Sequence, residues 1–384
     1  MVRAADPIRQ RGPGRSGSVR TVPKVATPSH TTLSGLPEAE AAWVERARTA
    51  RARSALERTP ELVPPPRFGR TRFEAYRVVH PSGADARDRV RAAAQRASDP
   101  RPRARRPWWR PWRRTEPLAG TGLFLDGGFG VGKTHLLAAA WHEAPLPEAA
   151  KPYLSFQELV HRIGALGREG ARAAFAEARL LCLDEFELDD PGNTLIIATF
   201  LADLFARGAT VLTTSNTPPD RQGEGRFAAD DFRREILGIA DRFETVRIVG
   251  PDQRATAGPE RWSTPEEVAE ALAHGPVPVA SATGERLSET LASVHPVRYG
   301  RLLAGVGTVV IRELRPLPDA NEALRFVHFV DKAYDLGVRF RVAGTASPET
   351  LFDASYAGGA WAKKFLRCRS RLTEMAREPL DRLP

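Results

Sequence analysis

The sequence predicts an α/β fold, a mostly parallel sheet with flanking helices, followed by a smaller C-terminal α+β domain. Three observations predict it. Five short apolar runs, "GLFLD" (122–126), "PYLSF" (152–156), "RLLCLD" (179–184), "GATVLTT" (208–214) and "ETVRIV" (244–249), alternate with helical segments. Strands alternating with helices imply a parallel sheet covered on both faces. The first run ends in a glycine-rich turn that opens a helix at Lys133. From about Gly250 the pattern shifts to separate helices and strands: "TPEEVAEALA", "TVVIREL", "ANEALRFVHFVDKAYDLG", "VRFRVAG" and "GGAWAKKFLRCRSRLTEM".

In chain order, residues 1–62 mix Pro, Gly, Arg and Ser and are expected to form a disordered basic tail. One peripheral helix is expected within "EAEAAWVERARTARARSALERT". Residues 63–118 bring Phe68, Phe73 and Tyr76, a helix near Asp85 to Ala97, and a basic linker too rich in proline for regular structure. Phe73 and Tyr76 are expected in the core or beside a nucleotide base. Within the linker, residues 103–114 interleave Trp108, Trp109 and Trp112 with arginines. Such a segment suits single-stranded nucleic acid, an anionic membrane surface, or a structural role with its tryptophans packed on the core. Residues 119–250 form the predicted nucleotide-binding core and 251–384 the C-terminal domain. The longest apolar run, "TLIIATFLADLF", is too short to span a bilayer and reads as a buried helix.

The chain has 57 Lys and Arg against 47 Asp and Glu, a net charge of +10 that favours anionic partners. Its two cysteines, Cys182 and Cys368, exclude a disulfide framework and a cysteine zinc site, and fit a cytoplasmic location.

Gly127, Gly128, Phe129, Gly130, Val131, Gly132, Lys133 and Thr134 spell "GGFGVGKT", with His135 next. The pattern G-x-x-x-x-G-K-[ST] between a strand and a helix is a phosphate loop: glycines turn amides inward and the helix start adds its positive end. Lys133 would reach the β- and γ-phosphates, and Thr134 would bind Mg²⁺. Asp184 and Glu185 end the third apolar run, where ligands bind in open α/β sheets. Asp184 would hold Mg²⁺, and Glu185 would be the general base for an attacking water. Asn216, at the tip of a further strand, would sense the γ-phosphate.

This order of motifs resembles the AAA+ ATPases. "GKTHLL" is typical of their replication-initiator and helicase-loader branch. "LCLDEF" followed by "TSNTPPD" resembles the ZapE family, bacterial cell-division ATPases with mitochondrial relatives. The segments "ALRFVHFVDKAYDLGVRFRVAGTASPETLF" and "FLRCRSRLTEM" are similar to that family's C-terminal motifs. Departures are His135 after the loop threonine, "ELDDPGNTLII" after the acidic pair, and a changed arginine-finger segment. There the family's Arg-Phe is replaced by Asp231–Phe232, leaving Arg226, Arg233 and Arg234 as candidate fingers.

The resemblance implies a Mg-dependent ATPase that self-assembles, as AAA+ rings do, and remodels FtsZ filaments in cell division. The alternatives are a nucleic-acid-associated ATPase of the helicase-loader type and a nucleotide-gated adaptor with little turnover. Arg371 could touch the nucleotide from a lid, or pair with Glu374 on a helix surface. The eight histidines have no metal-ligand spacing.

Overall fold

The computed structural model describes residues 35–51, 62–99, 120–188, 191–222, 233–252, 262–358 and 361–380. The extreme N-terminal tail, the Trp-rich segment 103–114 and Arg226 lie outside the described residues.

Helices α1 (Leu36–Arg51) and α2 (Pro81–Ser98) come first in the chain. Strand β1 (Thr121–Gly127) leads into α3 (Lys133–Glu143), and β2 (Tyr153–Ser155) into α4 (Phe156–Ala174). Then follow β3 (Leu180–Asp184), α5 (Pro191–Ala206), β4 (Thr210–Ser215), α6 (Arg233–Ala240) and β5 (Phe243–Ile248). The five strands pair in parallel in the order β2-β3-β4-β1-β5. Strand β3 is buried along its whole length, as a continuous apolar run in a sheet covered on both faces must be. Helices α2 and α3 pack on one face, around Leu136, Leu137 and Val90. On the other face α4, α5 and α6 gather around Phe124, Phe186 and Phe243.

The C-terminal half comprises α7 (Pro265–His274), β6 (Val279–Thr283), α8 (Gly284–Ser293), α9 (Tyr299–Leu303), β7 (Thr308–Leu314), α10 (Ala320–Asp335), β8 (Arg339–Gly344) and α11 (Ala362–Arg377). Its three strands also pair in parallel, in the order β6-β7-β8. Strand β6 has no counterpart in the sequence reading, because the three central residues of "VASAT" are Ala, Ser and Ala, small side chains that carry little strand signal.

Two expectations are corrected. The helix read as peripheral, α1, carries Trp43 into the core of the C-terminal half, where its indole N–H donates to Thr290 Oγ1 at 3.3 Å and its ring meets Phe329 edge-on. The helix read as buried, α5, is two-faced: Ile197, Leu201 and Leu204 face the core, while Leu195 and Ile196 are exposed. An unbroken apolar run cannot tell which side of a helix meets water.

Candidate functional site

Strand β1 lies between β4 and the edge strand β5, so the loop that follows it opens on the C-terminal edge of the sheet beside the end of β4. Register places Asp126 beside Ser215, and Ser155 beside Asp184, which brings the ends of β1 to β4 to the same edge. The loop backbone is left-handed at Gly130 (φ 67°) and Gly132 (φ 87°). A Cβ on Gly132 would stand 2.6 Å from the Tyr76 ring, so glycine is required for space as well as for conformation. Tyr76 is buried and its hydroxyl donates to Val131 O at 2.9 Å, which props the loop from below. Phe73 is buried as well, so both aromatics belong to the packing beneath the loop.

Gly132 caps α3 without a side-chain bond, leaving the first amides of the helix for a ligand. Lys133 Nζ donates to Gly127 O and Gly128 O, each at 2.7 Å, and to Asn216 Oδ1 at 2.8 Å. His135 lines the same cleft, and its Nε2 lies 3.0 Å from Arg72 O. A carbonyl only accepts, so Nε2 carries the proton. Burial holds this imidazole below its ordinary pKa, against the pull of that hydrogen bond.

Asp184 sits at the end of β3. Its Oδ1 accepts from Thr134 Oγ1 at 3.3 Å and from the Thr214 hydroxyl, and its Oδ2 accepts from Tyr153 OH at 3.2 Å. Burial and the neighbouring Glu185 charge raise its pKa above the usual carboxylate range. Glu185 adopts a left-handed backbone (φ 55°), and its N–H donates to Thr214 Oγ1 at 3.0 Å. A non-glycine residue there costs about 1–2 kcal/mol, strain that surrounding contacts must hold.

Those contacts come from α11. Arg371 Nη2 meets Glu185 Oε1 at 2.8 Å, and Arg367 Nη1 meets Oε2 at 3.1 Å. The same guanidiniums bind Asp331 of α10, Arg371 at 2.6 Å and Arg367 at 2.5 Å. Burial opposes the charge on Glu185, but Arg367 and then Arg371 outweigh it and hold the carboxyl below its usual range. Helix α11 is tied to the sheet edge at two further points. Lys363 Nζ donates to Thr217 Oγ1 at 2.7 Å, and Ser370 Oγ to Asp252 Oδ2 at 2.7 Å.

The cleft between the loop and α11 encloses 530 Å³. It brings together Phe129, Gly130, Gly132, Lys133, Thr134, His135, Asp184, Glu185 and Asn216. Val131 instead packs into the core, and Gly127 and Gly128 contribute carbonyls to Lys133. Arg234 is exposed and does not line the cleft; the side chain of Arg233 lies outside the described ones. The surface pairing of Arg371 with Glu374 is overturned: Arg371 is buried, and Glu374 pairs with Arg67 at 2.7 Å. Arg367 and Asp331 have no role in the sequence reading. The signal for Arg367 was its spacing four residues before Arg371, which puts both on one helix face.

The residues fit a nucleotide with a divalent cation. The glycine cradle has no room for a side chain at Gly132, and the α3 amides are uncapped. Asp184 sits beside the Thr134 hydroxyl at 3.3 Å, and this carboxylate and hydroxyl are hard oxygen donors of the kind a divalent cation takes. Mg²⁺ needs only one or two protein oxygens because it keeps water and phosphate as its other ligands.

Sheet order, glycine loop and acidic strand end together define the class: a P-loop ATPase of the AAA+ type. The family model described as AFG1-like ATPase matches residues 74–274 and 279–382, and the chain belongs to that family. It is similar to Cell division protein ZapE of Escherichia coli strain K12, 26% identical over an alignment of 303 residues that covers 67% of this chain and 78% of the relative. Among solved structures it resembles domain III of the Thermotoga maritima replication initiation protein DnaA, at 17% identity and a TM-score of 0.35, covering 71% of this chain and 86% of that one. AMPPCP-bound DnaA from Aquifex aeolicus is similar at 17% identity and a TM-score of 0.34, covering 48% of this chain and 52% of that one. Among the described residues no helix is long and apolar enough to cross a membrane.

Proposed function

We propose that the chain binds Mg-ATP in this cleft and hydrolyses it to ADP and phosphate. Lys133 and the amides of the loop would hold the β- and γ-phosphates. Thr134 and Asp184 would hold Mg²⁺, which supplies positive charge against the phosphates when bound. Glu185 would accept a proton from the attacking water, and Asn216 would report the γ-phosphate to Lys133, with which it shares a hydrogen bond. The supporting observation is that Lys133, Thr134, Asp184, Glu185 and Asn216 converge on one cleft roofed by α11.

Because α11 belongs to the C-terminal half, chemistry beneath it would move that half against the sheet and do work on a protein partner. Likeness to ZapE directs the choice of partner to cell division in the cytoplasm, with FtsZ filaments first. Self-assembly would let Arg226, Arg233 or Arg234 act as a finger on a neighbouring copy, a contribution of about 10³–10⁵ in rate. A second reading, a nucleotide-gated adaptor with little turnover, draws support from the two arginines on Glu185, which lower its basicity.

The test is ATP turnover by the full chain alone, with FtsZ filaments, and with single-stranded DNA. We expect stimulation by FtsZ filaments and a loss of about 10²–10³-fold in Lys133→Ala. Equal turnover in Lys133→Ala would remove the cleft from the chemistry. Stimulation by DNA alone would transfer the function to a helicase-loader role.

A further inference from the structure

Asp184 is held from two sides. Its Oδ1 accepts from the hydroxyls of Thr134 and Thr214 and from Glu185 N–H at 3.1 Å, and both threonines line the cleft. Its Oδ2 accepts from Tyr153 OH at 3.2 Å, and Tyr153 is buried beneath the cleft rather than set in its wall. Strand register explains the reach. Strand β2 pairs with β3 so that Tyr153 stands opposite Cys182 and Ser155 opposite Asp184. Residues two apart on a strand share a face, so Tyr153 and Asp184 point to the same side as diagonal neighbours. An aromatic side chain spans that diagonal. The Tyr153 ring belongs to the apolar core beneath α3, with Leu180 and Cys182, and its backbone N–H donates to Leu62 O at 2.8 Å. A strand and a packed ring thus hold the phenol at a fixed point. Toward the cleft, Asp184 offers Oδ1 and withholds Oδ2.

We propose that Tyr153 is a specificity-determining residue that makes the cation site prefer Mg²⁺ to Ca²⁺, by holding Oδ2 of Asp184 out of the cleft. The proposal deepens the ATPase reading and rests on its assignment of Thr134 and Asp184. Ca²⁺ takes about six to eight oxygens in flexible geometry and readily binds a carboxylate through both of its oxygens. Mg²⁺ demands a near-ideal octahedron, which leaves no place for the narrow bite of a carboxylate, so it uses one oxygen. A carboxylate fixed with a single oxygen toward the cleft suits Mg²⁺ and denies Ca²⁺ a ligand. Thr214 cannot do the same work, because its hydroxyl holds the oxygen that faces the cleft. Without the Tyr153 hydroxyl, Asp184 would be free to swing about its Oδ1 contacts and present both oxygens. Outer partners of a metal ligand commonly change metal affinity by about 10–100-fold, so one phenol is enough to set a preference.

The experiment measures the affinity of the full-length protein for the non-hydrolysable analogue AMPPCP by titration calorimetry, with Mg²⁺ or Ca²⁺ in excess over the nucleotide. Wild type, Tyr153→Phe and Thr214→Val are compared. In wild type we expect binding at least about tenfold weaker with Ca²⁺ than with Mg²⁺. Tyr153→Phe keeps the packed ring and removes only the hydroxyl, and its two affinities should agree within about threefold, chiefly through tighter binding with Ca²⁺. Tyr153→Met, which fills the core with another shape and also lacks a donor, carries the same expectation and serves if the phenylalanine variant does not fold. Thr214→Val loosens the same carboxylate at Oδ1 and should keep the wild-type preference. Equal affinities with the two metals in wild type, or an unchanged preference in the Tyr153 variants, would overturn the proposal and leave the ATPase reading intact. Loss of the preference in Thr214→Val would also overturn it, by assigning the preference to general rigidity of the site. Failure of AMPPCP to bind wild type with either metal would overturn the ATPase reading and the proposal with it.

Discussion

The turns β1–α3 and β6–α8 are the same local event, a parallel strand delivering the chain into a helix, yet only the first makes a site. At β6–α8 the helix begins one residue after Thr283, whose side chain accepts from Arg286 N at 3.2 Å and uses up a helix amide. Gly284 follows because a Cβ there would stand 2.9 Å from Glu313 O. At β1–α3 five residues intervene between strand and helix, the cap is Gly132 at φ 87°, and no side chain bonds the amides. An identical crossover is therefore structural when a hydroxyl caps it and chemical when glycines leave it bare. The contrast extends to the two halves of the molecule. The first sheet directs Lys133, Asp184, Glu185 and Asn216 at a cleft, whereas the second encloses a continuous apolar core with Trp43, Tyr299 and Phe329.

If that division holds, variants in the first sheet lose chemistry and variants in the second lose stability. The largest effect is expected for Glu185→Gln, a fall of about 10²–10⁴-fold in ATP turnover measured by phosphate release. Trp43→Ala is expected to cost about 3–5 kcal/mol in denaturant unfolding. An effect below about 1 kcal/mol would return α1 to the periphery.

Acid gives the next test. Burial opposes ionisation of Asp331, but Arg367 and Arg371 hold its pKa at about 2, below its value in the unfolded chain. The stabilisation is full above about pH 4 and is lost as pH falls from about 4 through about 2, a loss of about 2 kcal/mol on Coulomb linkage. Unfolding free energies measured down that range should show the slope, and Asp331→Asn should lack it. The smallest effect is expected for Thr283→Ala, about 1 kcal/mol in stability with turnover unchanged. A change in turnover beyond about twofold would show that the second crossing communicates with the cleft.

Much of this was legible beforehand because it is local. The five strands of the first sheet follow from apolar runs of the right length. The phosphate loop follows from glycines at fixed spacing ahead of Lys133 and Thr134. Asp184 and Glu185 follow from carboxylates at the end of a buried strand. The burial of α1 was not legible, since "EAEAAWVERARTARARS" reads as a polar helix with one tryptophan, and Trp43 finds its partner, Thr290, 247 residues away. Strand β6 escaped because its small residues carry no pattern of their own.

The sequence by itself determined a phosphate-binding turn, an acidic strand end and the alternation that makes a parallel sheet, because each is written in residues a few positions apart. Only the tertiary structure decided which charges face one another. Arg371 was equally able to pair with Glu374 three residues on, yet it binds Glu185, 186 positions away. That choice is made by burial. Inside the fold a guanidinium must have acceptors at contact distance, and the packing of α10 and α11 across the sheet edge makes Glu185 and Asp331 the acceptors for Arg371.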